Sequence, residues 1–126
     1  MQSSIIILAT KGGLTGHEFE FTAKARCLVG RAGDCEVQVP GEDLTASRHH
    51  CLLDINPPCV TLYDLASRNG TYVNGERLPS APPGEAEELV PEELPGRPLK
   101  VGDEVRVGRT TLRVWLVEPA NTSMAG

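Results

Sequence analysis

Aromatic side chains are scarce in this chain: two Phe, two Tyr and one Trp among 126 residues. A core must therefore be built from Val, Leu, Ile and Cys. No apolar run approaches the ~20 residues a membrane-spanning helix needs. The opening "MQSSIIILAT" has no basic flank and only a short apolar stretch, so it reads as a strand and not as a signal peptide. The four cysteines, Cys27, Cys35, Cys51 and Cys59, form no C-x-x-C pair and show no zinc-knuckle spacing. They are expected to be reduced and to serve as small apolar side chains. No phosphate-binding P-loop, dinucleotide fingerprint or G-x-S-x-G elbow is present. No cofactor and no metal are expected.

A basic excess is also missing. The net charge is -5, and its location is informative. Residues 79–96 contain Glu85, Glu87, Glu88, Glu92 and Glu93 and no Lys or Arg, so the remaining 12 acidic residues balance 12 basic ones. A neutral body lacks the clustered positive surface that sequence-independent nucleic-acid binding requires. Neither nucleic acid nor membrane is an expected partner.

What the chain does have is many short stretches of period-two alternation between turn residues. "SIIILA", "EFEFTA", "CLVG", "CEVQVP", "HCLLDIN", "CVTLYDL", "TYV", "EVRVG" and "TLRVWLVE" read as strands, with Pro57-Pro58 between two of them and Gly108-Arg109 as a tight hairpin turn. No stretch of a dozen residues carries a helical period. The pattern points to an antiparallel all-β sandwich or barrel. Residues 79–98, with six of the ten prolines, break it and read as a long Pro/Glu-rich surface loop that excludes a central strand. One domain over 1–118 and a frayed tail over 119–126 are expected.

Polar residues that a plain sandwich does not need sit at strand ends: Gly30-Arg31, Ser47-Arg48-His49-His50, Ser67-Arg68-Asn69-Gly70-Thr71 and Asn74-Gly75. If the loops at one end converge, Arg31, Ser47, Arg48, Arg68 and Asn69 offer guanidinium forks, a hydroxyl and an amide to one ligand. Those groups suit a phosphate, which favours charge-assisted, bidentate donors.

"GR…SRHH…SRNGTYVNG" resembles the forkhead-associated (FHA) domain, a family that carries G-R, S-x-x-H and N-G-x-x-x-N-G in this order. The resemblance runs from about Ser4 to Val117. It implies an eleven-stranded β-sandwich that binds phosphothreonine peptides through loops at one end. Carried over by position, it makes Arg31 and Ser47 phosphate ligands, with Arg48 supporting them. Asn69 would hold the peptide backbone, and Arg68 would touch the phosphate or a flanking residue. Gly30, His50, Gly70, Thr71, Asn74 and Gly75 become structural supports, with His50 holding the Ser47 loop. A small pocket for the γ-methyl group would select Thr over Ser. The phrase "INPPCVTLYDLASRNGTYVNG" is most similar to FHA modules attached to bacterial serine/threonine kinases, which implies a phosphothreonine protein as partner, an autophosphorylated kinase among the options; a cytoplasmic location, from the missing secretory signal, and a monomer are also expected. The 79–98 insertion is longer than the family's usual connection.

Simpler readings compete at several positions. Arg31 could pair with Asp34 or Glu36, and Arg68 could be a solvated turn residue. Asn74-Gly75 reads as a hairpin turn and nothing more, and His49 as solvated. For the whole chain, the alternatives are a phosphate-independent adaptor docking a kinase or partner protein, and a hydrolase using Ser47. The hydrolase reading is disfavoured because Ser47 and His50 lie three residues apart in one turn.

Overall fold

The computed structural model describes residues 3–80 and 95–118. Within them the chain forms eleven strands: β1 (Ser4–Lys11), β2 (Glu18–Phe21), β3 (Ala25–Gly30), β4 (Val37–Gln38), β5 (Cys51–Asn56), β6 (Cys59–Asp64), β7 (Thr71–Val73), β8 (Glu76–Arg77), β9 (Arg97–Pro98), β10 (Glu104–Val107) and β11 (Thr110–Val117). They build two sheets. One has the order β2-β1-β11-β10-β7-β8, the other β4-β3-β5-β6-β9. The expected all-β sandwich is the fold.

Alternation fixes which side chains meet between the sheets. Ile5, Ile7 and Ala9 of β1, Val105 and Val107 of β10, and Leu112 and Val114 of β11 turn inward from one sheet. Cys27 and Val29 of β3, Cys51, Leu53 and Ile55 of β5, and Val60 and Leu62 of β6 meet them from the other. Each fully buried aliphatic side chain contributes about 1.5–3 kcal/mol. The aromatics stay out of this layer: Trp115 is exposed on the outer face, and Phe19 and Phe21 pack at the margin. The long β1–β11 pairing joins the two ends of the described chain, from Ser4 opposite Val117 to Lys11 opposite Thr111.

Tight turns are where the alternation predicts them. Val107 and Thr110 pair around Gly108-Arg109, with Gly108 at a φ of 59°. Val73 and Glu76 pair around Asn74-Gly75, at φ 51° and 88°. Two successive positive φ values are the signature of the hairpin turn that favours Asn-Gly.

The structure departs from the sequence reading at four points. β4 pairs with β3 in parallel, so the fold is not uniformly antiparallel. It is also only two residues long, against the six expected. Arg97–Pro98, expected in the surface loop, pair with Leu62 and Thr61 as edge strand β9, a position that tolerates proline because one edge needs no donor. Cys59 is exposed, unlike the three buried cysteines, although all four thiols are free as expected. The rest of the expected loop, residues 81–94 with Glu85 to Glu93, and the tail 119–126 lie outside the described residues.

Where β3 ends, the main chains run very close. A Cβ on Gly30 would lie 2.0 Å from the carbonyl oxygen of Arg48. Gly30→Ala is expected to destabilise the domain by about 1–3 kcal/mol. Gly33→Ala, where a Cβ meets nothing within 4 Å, serves as the control and should stay within about 0.5 kcal/mol of wild type. Urea unfolding of the two variants side by side checks this; equal midpoints would contradict it.

Candidate functional site

Two buried aspartates shape the loops at one end of the sandwich. Asp43, in the β4–β5 connection, accepts the backbone N–H of Thr45 at 3.1 Å and the Thr45 hydroxyl through Oδ1. This i to i+2 bond is an Asx turn. Its Oδ2 accepts the backbone N–H of Arg109 at 2.8 Å, which ties the loop to the β10–β11 hairpin of the opposite sheet. Burial alone would raise the Asp43 pKa, but the hydrogen bonds from Thr45 and Arg109 outweigh it and hold the carboxyl below its ordinary value.

Asp64, at the end of β6, is 1% exposed. Its Oδ1 accepts the hydroxyls of Ser67 and Thr71, both at 2.5 Å. Its Oδ2 accepts the Ser67 backbone N–H at 3.1 Å and the Ser80 hydroxyl. Four donors from three segments therefore converge on one carboxylate and close the β6–β7 loop. This is the structural role of Thr71. Gly70 sits at a φ of 90°, where a Cβ would lie 2.6 Å from Arg77 Nε.

His50 joins the two loops. It is fully buried. Nδ1 accepts the Ser47 backbone N–H at 2.9 Å, so Nε2 carries the proton and donates it to the Gly70 carbonyl at 2.9 Å. The ring is thereby neutral and its tautomer defined. Desolvation lowers its pKa, opposed in part by the Gly70 carbonyl and by the charges of Asp64 and Asp43.

Against this frame, Arg31, Ser47, Arg48 and Arg68 line one open hollow of about 290 Å³, together with Leu44, Thr45 and Ala46. Arg31 Nε donates to the Ala46 carbonyl at 2.7 Å, which fixes the guanidinium at the wall. Asp34 and Glu36, its possible ion-pair partners, are engaged elsewhere. Asp34 binds His49 Nε2 at 2.9 Å, and Glu36 accepts the Leu28 N–H at 2.8 Å. Among the described residues no carboxylate lies within ion-pair distance of Arg31, Arg48 or Arg68. Ser47 Oγ accepts the Arg68 backbone N–H at 3.0 Å and keeps its own O–H to donate.

Asn69 is placed differently from its four companions. It is not among the residues lining the hollow; its Nδ2 donates to the Thr45 carbonyl at 2.9 Å and braces the β4–β5 loop against the β6–β7 loop. Asn74 does more than turn the chain. Its Nδ2 donates to Asp103 Oδ1 and its Oδ1 accepts the Glu104 N–H, both at 3.0 Å, which locks the β7–β8 hairpin to the start of β10. His49, expected to be solvated, pairs with Asp34. Leu44, Thr45, Ala46, Asp43 and Asp64 are parts of the site that sequence reasoning missed. The Asp43-x-Thr45 and Asp64-x-x-Ser67 spacings were the available signals.

Nucleophilic catalysis does not fit this geometry. His50 meets the Ser47 main chain and not its hydroxyl, and both ring nitrogens are committed. What the loops form is a braced hollow lined by three arginines and a serine hydroxyl at the end of a β-sandwich. The FHA domain profile matches residues 27–108, and the chain belongs to the FHA domain family. A similar curated protein is the ABC transporter ATP-binding/permease protein Rv1747 of Mycobacterium tuberculosis, 33% identical over 81 residues, 64% of this chain and 9% of that protein. The chain thus spans about a tenth of the length of the curated relatives it matches. Among solved structures, one from a structural and functional study of phosphothreonine-dependent FHA domain interactions superposes with a TM-score of 0.68 at 23% identity, covering 92% of this chain and 98% of the other. The FhaA FHA domain in complex with the intracellular domain of Rv3910 superposes at 0.65 and 22% identity, covering 87% and 98%.

Two outcomes follow. Asp64→Ala leaves three hydroxyls and a buried N–H without their acceptor and should cost at least ~2 kcal/mol, measured by chemical denaturation; a change under about 0.5 kcal/mol would contradict the role given to this carboxylate. For His50, the folded pKa lies below the unfolded one. The folded state therefore resists the proton, and stability present above about pH 6.5 is lost as the pH falls through the folded pKa. Wild type should lose stability over that interval while His50→Gln does not, with the His50 ring titrating below 6.5 by NMR. A ring that titrates above that value would reverse the sign.

Proposed function

We propose that this chain is a binding module that captures phosphothreonine in a peptide or protein, with no catalytic step. The observation that carries this reading is the hollow lined by three arginines and a hydroxyl, whose guanidiniums have no carboxylate within ion-pair distance among the described residues. A phosphate monoester brings about -1.5 to -2 charges and three strong acceptor oxygens. Arg31 and Ser47 contact the phosphate, and Arg48 and Arg68 supply flanking charge. Asn69 holds the peptide backbone through the amide oxygen that its bond to Thr45 leaves free. Because one copy carries the whole hollow, a monomer suffices. Free thiols fit a reducing compartment such as the cytoplasm, where kinases, an attached one included, supply phosphorylated partners.

The solved neighbours support the ligand class: one concerns phosphothreonine-dependent interactions, another an FHA domain bound to a partner protein's intracellular domain. Titration of Thr, phosphothreonine and phosphoserine versions of one peptide selected from a degenerate library tests the reading. The phosphothreonine form should bind best and the unphosphorylated form not measurably. Arg31→Ala should weaken binding about 10- to 100-fold, the loss of one charge-assisted contact. Equal affinity for phosphorylated and unphosphorylated peptide would point instead to a phosphate-independent adaptor.

A further inference from the structure

Beside the arginine-lined hollow, on its outer flank, lies a second cluster that the phosphopeptide reading does not use. Asp34, Cys35 and His49 bring a carboxylate oxygen, a sulfur and an imidazole nitrogen within 4.8 Å of one another. Asp34 and Cys35 belong to the β3–β4 connection, and His49 precedes β5. The backbones that carry them are already laced together. Arg31 N–H donates to the Ser47 carbonyl at 3.1 Å, Ala32 N–H to the Arg48 carbonyl at 3.0 Å, and the Cys35 thiol reaches the Arg48 carbonyl at 3.4 Å. The donors are therefore held on fixed main chain and not on mobile loop tips.

We propose that Asp34, Cys35 and His49 form a binding site for a thiophilic divalent cation, Zn2+ being the best fit. Sulfur, imidazole nitrogen and carboxylate oxygen are the three ligand types that this ion takes, at about 2.0–2.3 Å in a tetrahedral arrangement. Three protein donors leave the fourth position to a water molecule. A thiolate and a carboxylate neutralise the ion's two charges, which suits a thiol that is 8% exposed. The cation expels one proton, that of the Cys35 sulfur, and displaces the contact between His49 Nε2 and Asp34 at 2.9 Å; the imidazole ligates as a neutral ring whose single proton sits on the nitrogen that does not bind the ion. Without the ion that thiol stays protonated, because burial pushes its pKa up to about 11. Calcium and magnesium are excluded by the ligand chemistry, since both are held by oxygen alone. The bound ion would clamp the two connections that carry Arg31 and Ser47. The site stands on its own donor set, independent of what the hollow binds.

Co2+ is the probe, since a thiolate–cobalt bond gives an intense near-ultraviolet charge-transfer band. The reduced full chain should show that band, saturating at one equivalent and bleached by Zn2+. Cys35→Ser should abolish it, His49→Gln and Asp34→Asn should weaken Co2+ affinity by at least about tenfold, and Cys59→Ser, at the exposed thiol, should leave it intact. His49→Gln and Asp34→Asn keep side-chain size and a hydrogen-bonding end group, so their circular dichroism without metal should match wild type and keep the test valid if Cys35→Ser fails to fold. Absence of the band in wild type would overturn the proposal. So would a band that survives Cys35→Ser, or wild-type affinity in the His49 and Asp34 variants; the three side chains would then be a loop tie and a core thiol.

Discussion

The site depends on one buried imidazole. His50 accepts from Ser47 on the β4–β5 side and donates to Gly70 on the β6–β7 side, so a neutral ring in a single tautomer sets the separation of two loops that share no covalent link nearby. Its own main chain completes the cross. The His50 N–H meets the Val29 carbonyl at 2.8 Å, and its carbonyl accepts the Leu65 N–H at 3.0 Å. Arginine needs such a frame more than most residues do. A guanidinium discriminates by the planar geometry of its donors, and that selectivity vanishes if the backbone presenting it wanders. Fixing Ser47 and Arg68 through main-chain bonds means less ordering remains to be done when an anion arrives, which is where preorganised sites gain affinity.

The charge arrangement follows a second rule. Asp43 and Asp64 belong to the segments that frame the arginine-lined hollow, yet both are buried and engaged by backbone and hydroxyl donors. Their negative charge is spent on shaping backbone and not on neutralising Arg31, Arg48 or Arg68. Asp34, the exposed carboxylate of the β3–β4 connection, is held by His49, whose N–H keeps it below the ordinary carboxylate range.

How much of this was legible from residue order differs between fold and site. Strands could be read because inward and outward residues alternate over β1, β5, β6, β10 and β11, and because Asn-Gly and Gly-Arg mark hairpins by their φ requirements. Pairing direction could not, since β4 is two residues long and its parallel partnership with β3 comes from the loop path around Arg31. β9 was hidden by its own proline. For the site, the motif spacing located Arg31, Ser47, Arg48 and Arg68, which the fold does gather at one hollow. It did not reveal which polar groups are spent internally. Asn69 looks like a ligand contact in sequence, but one of its N–H groups bonds Thr45, 24 residues away. The Asp43 bond to Arg109 spans 66 residues, and no local pattern announces a partner that distant.

Residues 80 and 97 sit in an unusual relation. Ser80 bridges to Asp64, and Arg97 pairs with Leu62, so the chain leaves β6 and returns to it two residues apart, about 7 Å along the strand. The intervening stretch is thus closed at its base by the domain itself. Loop-closure entropy grows only by about 0.6 kcal/mol for each doubling of a connection's length, and neither anchor is among the residues lining the hollow. The same sandwich can accordingly accept inserts of very different size at this point without retuning its binding end, a port through which composition and charge can be varied independently of recognition.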